Sequence, residues 1–249
     1  MKWNGGKERM RVRIVWERKP PGPPLIVYET TTLYGARGRF RVMAFTEEAV
    51  QGAIDLDDPA RIVLEYQQAM LHLMESTDPT FEDVFLIGHG AGTMPGRLQG
   101  KRLRIAELDE DVAEVSASRF GYRGPRPTIG DGRLLLKREA PQSLDFVVVD
   151  AFDAHGVAEG FLSEDFIRLA REKLDERGAL LLNVTGRGER DPFASAGFAA
   201  LRDAFAYAKA FVLPASSLAE TRNLLLVGGS APIRYRSKRM AGFVELGLL

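Results

Sequence analysis

Six short apolar runs recur through the last two thirds of the chain: VFLIG from Val84, LRIAE from Leu103, FVVVD from Phe146, ALLLNV from Ala179, AFVLP from Ala210 and NLLLVGG from Asn223. A strand with one wet face alternates apolar and polar residues. These runs do not alternate, so both of their faces are expected to be buried, as in a parallel sheet covered by helices on each side. The segments between several of the runs supply the helices. DEDVAEVSASRF (Asp109–Phe120) carries helical spacing at Val112, Val115 and Phe120. SEDFIRLAREKLDERG opens with Ser163 as a cap and predicts a helix closing at Gly178. DPFASAGFAALRDAFAYA opens on Asp191 and Pro192, an N-cap followed by proline at the first helical position. DDPARIVLEYQQAMLHLME has the same signature, which predicts a helix starting at Asp58 and Pro59 with Ile62, Tyr66, Met70 and Leu73 on one face. The fold class is α/β: a Rossmann-like, doubly wound, mostly parallel sheet.

The first part of the chain has a different texture. RVRIVW, LIVYET and RFRVMAF, between Arg11 and Phe45, are rich in β-branched and aromatic residues, with KPPGPP and YGARG between them. Residues 1–57 therefore read as a small β-rich N-terminal domain and 58–230 as a Rossmann-like domain. Residues 231–249 read as a C-terminal tail whose apolar end docks on it. There is no cysteine, which removes disulfides, thiol nucleophiles and thiolate metal sites. Lysine plus arginine and aspartate plus glutamate both number 34, so neither a nucleic-acid nor a polybasic membrane partner is expected. No window is long and apolar enough for a membrane span, and the expected location is the cytoplasm.

The run VFLI leads into Gly88-His89-Gly90-Ala91-Gly92, three glycines in five positions. In doubly wound sheets ligands sit beyond the carboxyl ends of the strands, and glycine lets a ligand approach the main chain. A ligand-free glycine turn is the plainer reading. The loop is not a Walker motif, because no Gly-Lys-Ser/Thr closes it. It is not the nicotinamide fingerprint either, because Thr93 stands where a small residue is needed. Glu107 ends the next apolar run. An acid there can accept from both hydroxyls of a ribose and repels a ribose phosphate, which points to an adenosine-type ligand. Asp131, between two glycines in TIGDGRLLL, reads either as a turn residue or as an acceptor for an adenine amino group. Asp150 and Asp153, in DFVVVDAFDAHG, read either as caps or as a cation-binding pair with one member serving as a base. His72 reads as packing or surface. His89 touches either ligand or solvent, and His155 neighbours the acidic pair. None of the three has metal-ligand spacing, and no metal is expected.

Taken in order, GHGAGT, RIAELDEDV, IGDGRLLL and DFVVVDAFDAHGVAEGF resemble the spermidine synthase family, aminopropyltransferases built on the class I S-adenosylmethionine-dependent methyltransferase fold. The resemblance runs over Phe85–Leu182 and extends more weakly to both ends. It implies that Gly88, Gly90 and Gly92 lie under a sulfonium tail, that Glu107 holds the ribose and that Asp131 contacts adenine. It implies that Tyr66 and Gln67, in EYQQAM, border amine and nucleoside, and that Gln51 lies near the ribose. Asp153 would take a proton from, or orient, the attacking amine, with Asp150 beside it. A homodimer is implied as well. Two departures stand out. The family loop reads G-G-G-D-G, with its aspartate on the donor's free amine, whereas this chain has Ala91. A charge-assisted bond of that kind contributes roughly 1.5–3 kcal/mol. The family's proline-glycine-proline after Asp153 is reduced to AHGV, and a later tyrosine-containing turn is absent from LPASSLAETRN.

A sulfonium makes each of its three neighbouring carbons electrophilic, so holding donor and nucleophile in line decides which group moves. The expected activity is aminopropyl transfer from decarboxylated S-adenosylmethionine to a di- or polyamine. Methyl transfer from intact S-adenosylmethionine is the alternative that Ala91 favours, and a non-catalytic nucleoside-binding homologue is the third.

Overall fold

The computed structural model describes residues 12–46, 49–153, 156–157, 159–188, 191–214 and 220–247, without the side chains of 152–153, 156–157 and 159. The chain opens with an antiparallel sheet of four strands in sequential order: β1 (Arg13–Glu17), β2 (Ile26–Leu33), β3 (Ala36–Ala44) and β4 (Val50–Asp55). Tyr34 and Gly35 join β2 to β3 with φ of 47° and 78°. Two positive-φ residues make the tight hairpin turn whose twist matches that of the strands. Strand β4 was not expected, because Gln51 and Gly52 interrupt its apolar character.

The helix expected from Asp58 starts later. Asp58 does cap, but it closes a turn: its Oδ1 accepts from the Ala60 N–H at 3.1 Å and its carbonyl from the Arg61 N–H at 2.9 Å. Ile62 then bridges back to Ile54 of β4. Only after that does α1 (Glu65–Thr77) begin, burying Met70, Leu73 and Met74.

The large sheet and its helices follow as β5 (Asp83–Ile87), α2 (Thr93–Arg97), β6 (Arg102–Glu107), α3 (Glu110–Arg119), β7 (Thr128–Ile129), α4 (Gly132–Lys137) and β8 (Leu144–Val149). A two-strand ribbon, β9 (Phe152–Asp153) with β10 (Gly156–Val157), comes next. The chain continues through α5 (Glu164–Lys173), β11 (Leu174–Gly186), α6 (Pro192–Ala204), β12 (Tyr207–Val212), β13 (Arg222–Gly229) and β14 (Val244–Glu245). The order across the sheet is β14-β12-β13-β11-β8-β5-β6-β7. Strands β7, β6, β5, β8 and β11 pair parallel, and β13 is antiparallel to both β11 and β12. All but β13 and β14 therefore run the same way, which is the mostly parallel sheet that the apolar runs predict.

The burial is two-sided as expected. Phe85, Ile87, Val147, Val149, Leu180 and Leu182 pack with Phe166, Ile167 and Leu201 from α5 and α6. The intervening residues Val84, Leu86, Phe146, Val148 and Leu181 pack on the other face with Met70 and Leu73 from α1. Helix α5 has its expected cap, with Ser163 Oγ accepting from Phe166 N–H, but stops at Lys173 rather than Gly178. Leu174 pairs with Leu144 and starts β11 early. The C-terminal segment buries Met240 and Phe243 and adds β14 to the sheet edge. No helix is long and apolar enough to cross a membrane among the described residues.

Candidate active site

Parallel strands carry their carboxyl ends to one edge. Here β5, β6 and β8 deliver Gly88, Glu107 and Asp150 to the same place, held in register by Gly88 N–H to Ala106 carbonyl at 2.9 Å and Asp150 N–H to Ile87 carbonyl at 2.8 Å. A cavity of about 200 Å³ opens there. Among the residues expected at the site, Gly88, Gly90, Glu107, Asp131, Asp150, Tyr66 and Gln51 all line it. Gly92 and Gln67 do not. Gly92 caps α2 and backs onto the Tyr122 ring, and Gln67 is buried behind Tyr66, donating to its hydroxyl at 3.3 Å. Asp153 contributes backbone to β9, and its side chain lies outside the described residues, as does His155.

The bare loop is explained first by the protein's own backbone. A Cβ on Gly88, whose φ is 95°, would sit 2.1 Å from the Asp150 carbonyl oxygen. A Cβ on Gly90 would sit 2.4 Å from the Gln51 carbonyl oxygen. Strand β4 of the small sheet and the end of β8 thus clamp the loop main chain from two sides, and only glycine leaves room for them.

Glu107 is nearly buried and aimed at the cavity by main-chain donors. One carboxylate oxygen accepts from His89 N–H and the other from Asp109 N–H, each at 2.9 Å. Burial pushes its carboxyl above the ordinary glutamate value, and those N–H groups pull it part of the way back. Asp131 is a cap that also faces the cavity. It caps α4, with Oδ1 accepting from Arg133 and Leu134 N–H at 2.8 and 3.0 Å, and it stands on the cavity wall.

Asp150 is the third carboxylate of the cavity. Asn183 Nδ2 donates to its Oδ1 at 2.9 Å and the Tyr66 hydroxyl to its Oδ2 at 3.2 Å. Burial raises its carboxyl above the usual aspartate range, against the pull of these hydrogen bonds. Burial and the neighbouring Asp150 hold the Tyr66 phenol well above its ordinary value, so it stays a donor.

His89 is a core residue rather than a solvent-facing one. Burial pushes its imidazole down to about 4, so it is neutral. The Ser116 hydroxyl spends its proton on the Ala113 carbonyl at 2.8 Å, so it accepts from His89 Nε2–H at 2.7 Å. His72 is also internal, its Nε2 accepting from Arg236 N–H at 2.9 Å.

Sequence reasoning missed the apolar walls, Phe45, Val50, Leu108 and Phe161, and the polar support, Asn183 and Asn223. Leu108 had a legible signal: it follows the strand-end acid directly and is 76% exposed, the most exposed large apolar side chain among the described residues. The others come from distant segments.

Ala91 is buried, and its surroundings explain why the loop acid is missing. A Cβ on Gly52 of β4 would fall 2.5 Å from the Ala91 Cβ, so the two small residues already touch. Ala91→Asp is therefore expected to lower stability. Overpacking costs about 1–3 kcal/mol, which corresponds to a melting temperature about 5 °C lower in a domain of this size. Thermal unfolding monitored by circular dichroism checks this.

The comparisons with known proteins agree with the geometry. Residues 63–187 match the model of the spermine/spermidine synthase domain. The chain is 30% identical over 209 residues to the polyamine aminopropyltransferase of Thermococcus kodakarensis, covering 74% of this chain and 69% of that one. It is 28% identical over 184 residues to the polyamine aminopropyltransferase of Vibrio vulnificus, covering 66% of this chain. That match spans 60% of the Vibrio protein, and matches to two Neisseria meningitidis relatives span 58% of theirs. A crystal structure of a probable spermidine synthase from Corynebacterium glutamicum superposes with a TM-score of 0.70 at 18% identity, over 88% of this chain and 80% of that one. The matched model covers the stretch from the start of α1 to the end of β11, which holds the glycine loop, the strand-tip acid and Asp150. On that evidence the chain belongs to the spermine/spermidine synthase family.

Proposed function

We propose that the protein is an aminopropyltransferase, moving the aminopropyl group of decarboxylated S-adenosylmethionine to a di- or polyamine. The observation that carries this is Asp150. It is a partly buried carboxylate in the same cavity as the ribose-type acceptor Glu107, and no lysine or arginine pairs with it among the described residues. A carboxylate partly withdrawn from water that lacks a cation is a seat for one, and an amine substrate supplies it.

In this reading Glu107 takes the ribose hydroxyls, and Asp131 Oδ2 faces the adenine amino group while Oδ1 caps α4. The sulfonium tail passes Gly88 and Gly90 toward Asp150 and Tyr66. The amine nitrogen, freed of its proton with Asp153 as acceptor, attacks the carbon next to sulfur. The C–S bond breaks as the C–N bond forms, and the neutral thioether leaves as methylthioadenosine. Cytoplasmic location and a homodimer belong to the same proposal.

One observation favours a second reading. With Ala91 against Gly52, the loop offers no carboxylate to the donor's terminal ammonium and none to repel the carboxylate of intact S-adenosylmethionine. Methyl transfer is the activity that this would permit. Incubation with each donor separately, together with a panel of di- and polyamines, distinguishes the two. Methylthioadenosine formed from the decarboxylated donor supports aminopropyl transfer. S-adenosylhomocysteine from the intact donor supports methyl transfer. Binding with neither product leaves a nucleoside-binding homologue.

A further inference from the structure

Asp150, Asn183 and Asn223 come from three neighbouring strands. Leu182 of β11 pairs with Val149 of β8, so Asn183 and Asp150, one residue on, lie side by side. Thr185 of β11 pairs with Asn223 of β13, which brings Asn223 to the far side of Asn183. Asn183 Nδ2 donates to Asp150 Oδ1 at 2.9 Å, and Asn223 Nδ2 donates to Asn183 Oδ1 at 2.9 Å. Asn183 is fully buried, in strand positions otherwise filled by leucine and valine. A buried amide in such a run is costly unless both of its ends are satisfied.

The chemistry of the chain of bonds runs one way. An ionised carboxylate only accepts, so Asn183 must show it the NH₂ end. That turns the Asn183 oxygen toward β13, where Asn223 meets it with a donor. With Asn223 in place, flipping Asn183 would set NH₂ against NH₂ and break both bonds. With an apolar residue at 223 the flip is open, and a protonated Asp150 then becomes an equally good partner for the Asn183 oxygen.

We propose that Asn183 and Asn223 are positioning residues, a two-amide relay across β11 and β13 that holds Asp150 ionised and so keeps the seat for a substrate ammonium. The role of that seat rests on the aminopropyltransferase reading, but the relay itself does not. The other groups facing Asp150 are Tyr66 and Gln67 from α1. Glu107 at the end of β6, Asp131 at the cap of α4 and the neutral His89 border the same cavity. Glu107 and Asp131 are acids, so they raise the cost of a further negative charge and make neutral donors at Asp150 more important.

The test follows the Asp150 carboxyl by ¹³C NMR in protein labelled at aspartate, with the signal assigned by its loss in Asp150→Asn. A hydrogen bond to a charged group corresponds to about one to two pH units of midpoint. Asn183→Leu is expected to move the midpoint up by about that much. Asn223→Leu, which touches no atom of Asp150, is expected to move it up by roughly half a unit or more. Asn223→Ser, which keeps a donor, restores part of the shift. In the active protein the acid limb of the pH profile of kcat/KM moves with the midpoint. A midpoint unchanged in Asn223→Leu overturns the relay, including the case where only Asn183→Leu moves it. A midpoint that moves in both variants, in a wild-type protein that transfers nothing to any amine, upholds the relay and overturns the proposed reaction instead.

Discussion

Glu107→Gln is expected to abolish tight binding of adenosine-type nucleosides while leaving a folded protein. Both carboxylate oxygens already accept a main-chain N–H, from His89 and Asp109. Glutamine has one oxygen, so its NH₂ must face one of those donors, and the side chain swings out of line. The variant loses the negative charge that the two ribose hydroxyls would meet. Hydrogen bonds to a charged group contribute about 1.5–3 kcal/mol each, so affinity for methylthioadenosine should fall about a hundredfold. Calorimetry measures it, and unchanged affinity would remove Glu107 from the nucleoside site. The wild type has a pH arm to the same result. Burial raises the Glu107 carboxyl, and only its ionised form accepts from both hydroxyls. Nucleoside affinity is therefore full above that raised value and declines as pH drops through it. The decline begins at a higher pH than for an ordinary glutamate.

Gly88→Ala is expected to damage the protein as a whole. The left-handed conformation at φ 95° costs a residue with a Cβ about 1–2 kcal/mol. The new methyl would lie 2.1 Å from the Asp150 carbonyl oxygen, so β5 and β8 must separate at their ends. Forced shifts of that kind add about 1–3 kcal/mol. A melting temperature about 10 °C lower is the expected result, with nucleoside binding lost in whatever remains folded, because Asp150 moves with its carbonyl. Gly96→Ala is the matched control: nothing lies within 4 Å of the Cβ that it would add, and its stability should be close to that of the wild type.

Much of the large sheet could be read from the chain because burial on both faces leaves a plain mark. VFLI and FVVV have no polar alternation, and the structure assigns successive residues of each to opposite cores. Helix caps were legible where the cap stands alone, as at Ser163 and Asp191. Asp58 misled because the same side-chain oxygen can start a helix or close a turn, and what decided between them was a strand pairing of Ile62 back to Ile54, which the helical periodicity does not show. Strand β4 was hidden for a related reason. Its Gly52 breaks a strand pattern locally but is required by the contact with Ala91. In the site, Glu107 and Asp150 announced themselves as acids ending apolar runs. The amides behind Asp150 did not, because an asparagine inside or at the start of an apolar strand acquires its meaning only when the strand order places it beside a carboxylate.

The close fit of Gly52 against Ala91 sets the order in which this chain could change. Enlarging either residue first jams the other, and the shorter of the two has no side chain left to give up. An acidic loop reached here by exchanging one codon would carry the stability cost of that overpacking. Avoiding that cost would require the edge of the small sheet to retreat beforehand, and with it the Gln51 carbonyl that braces Gly90. The loop acid is thus disfavoured by a strand whose own sequence carries no obvious chemistry.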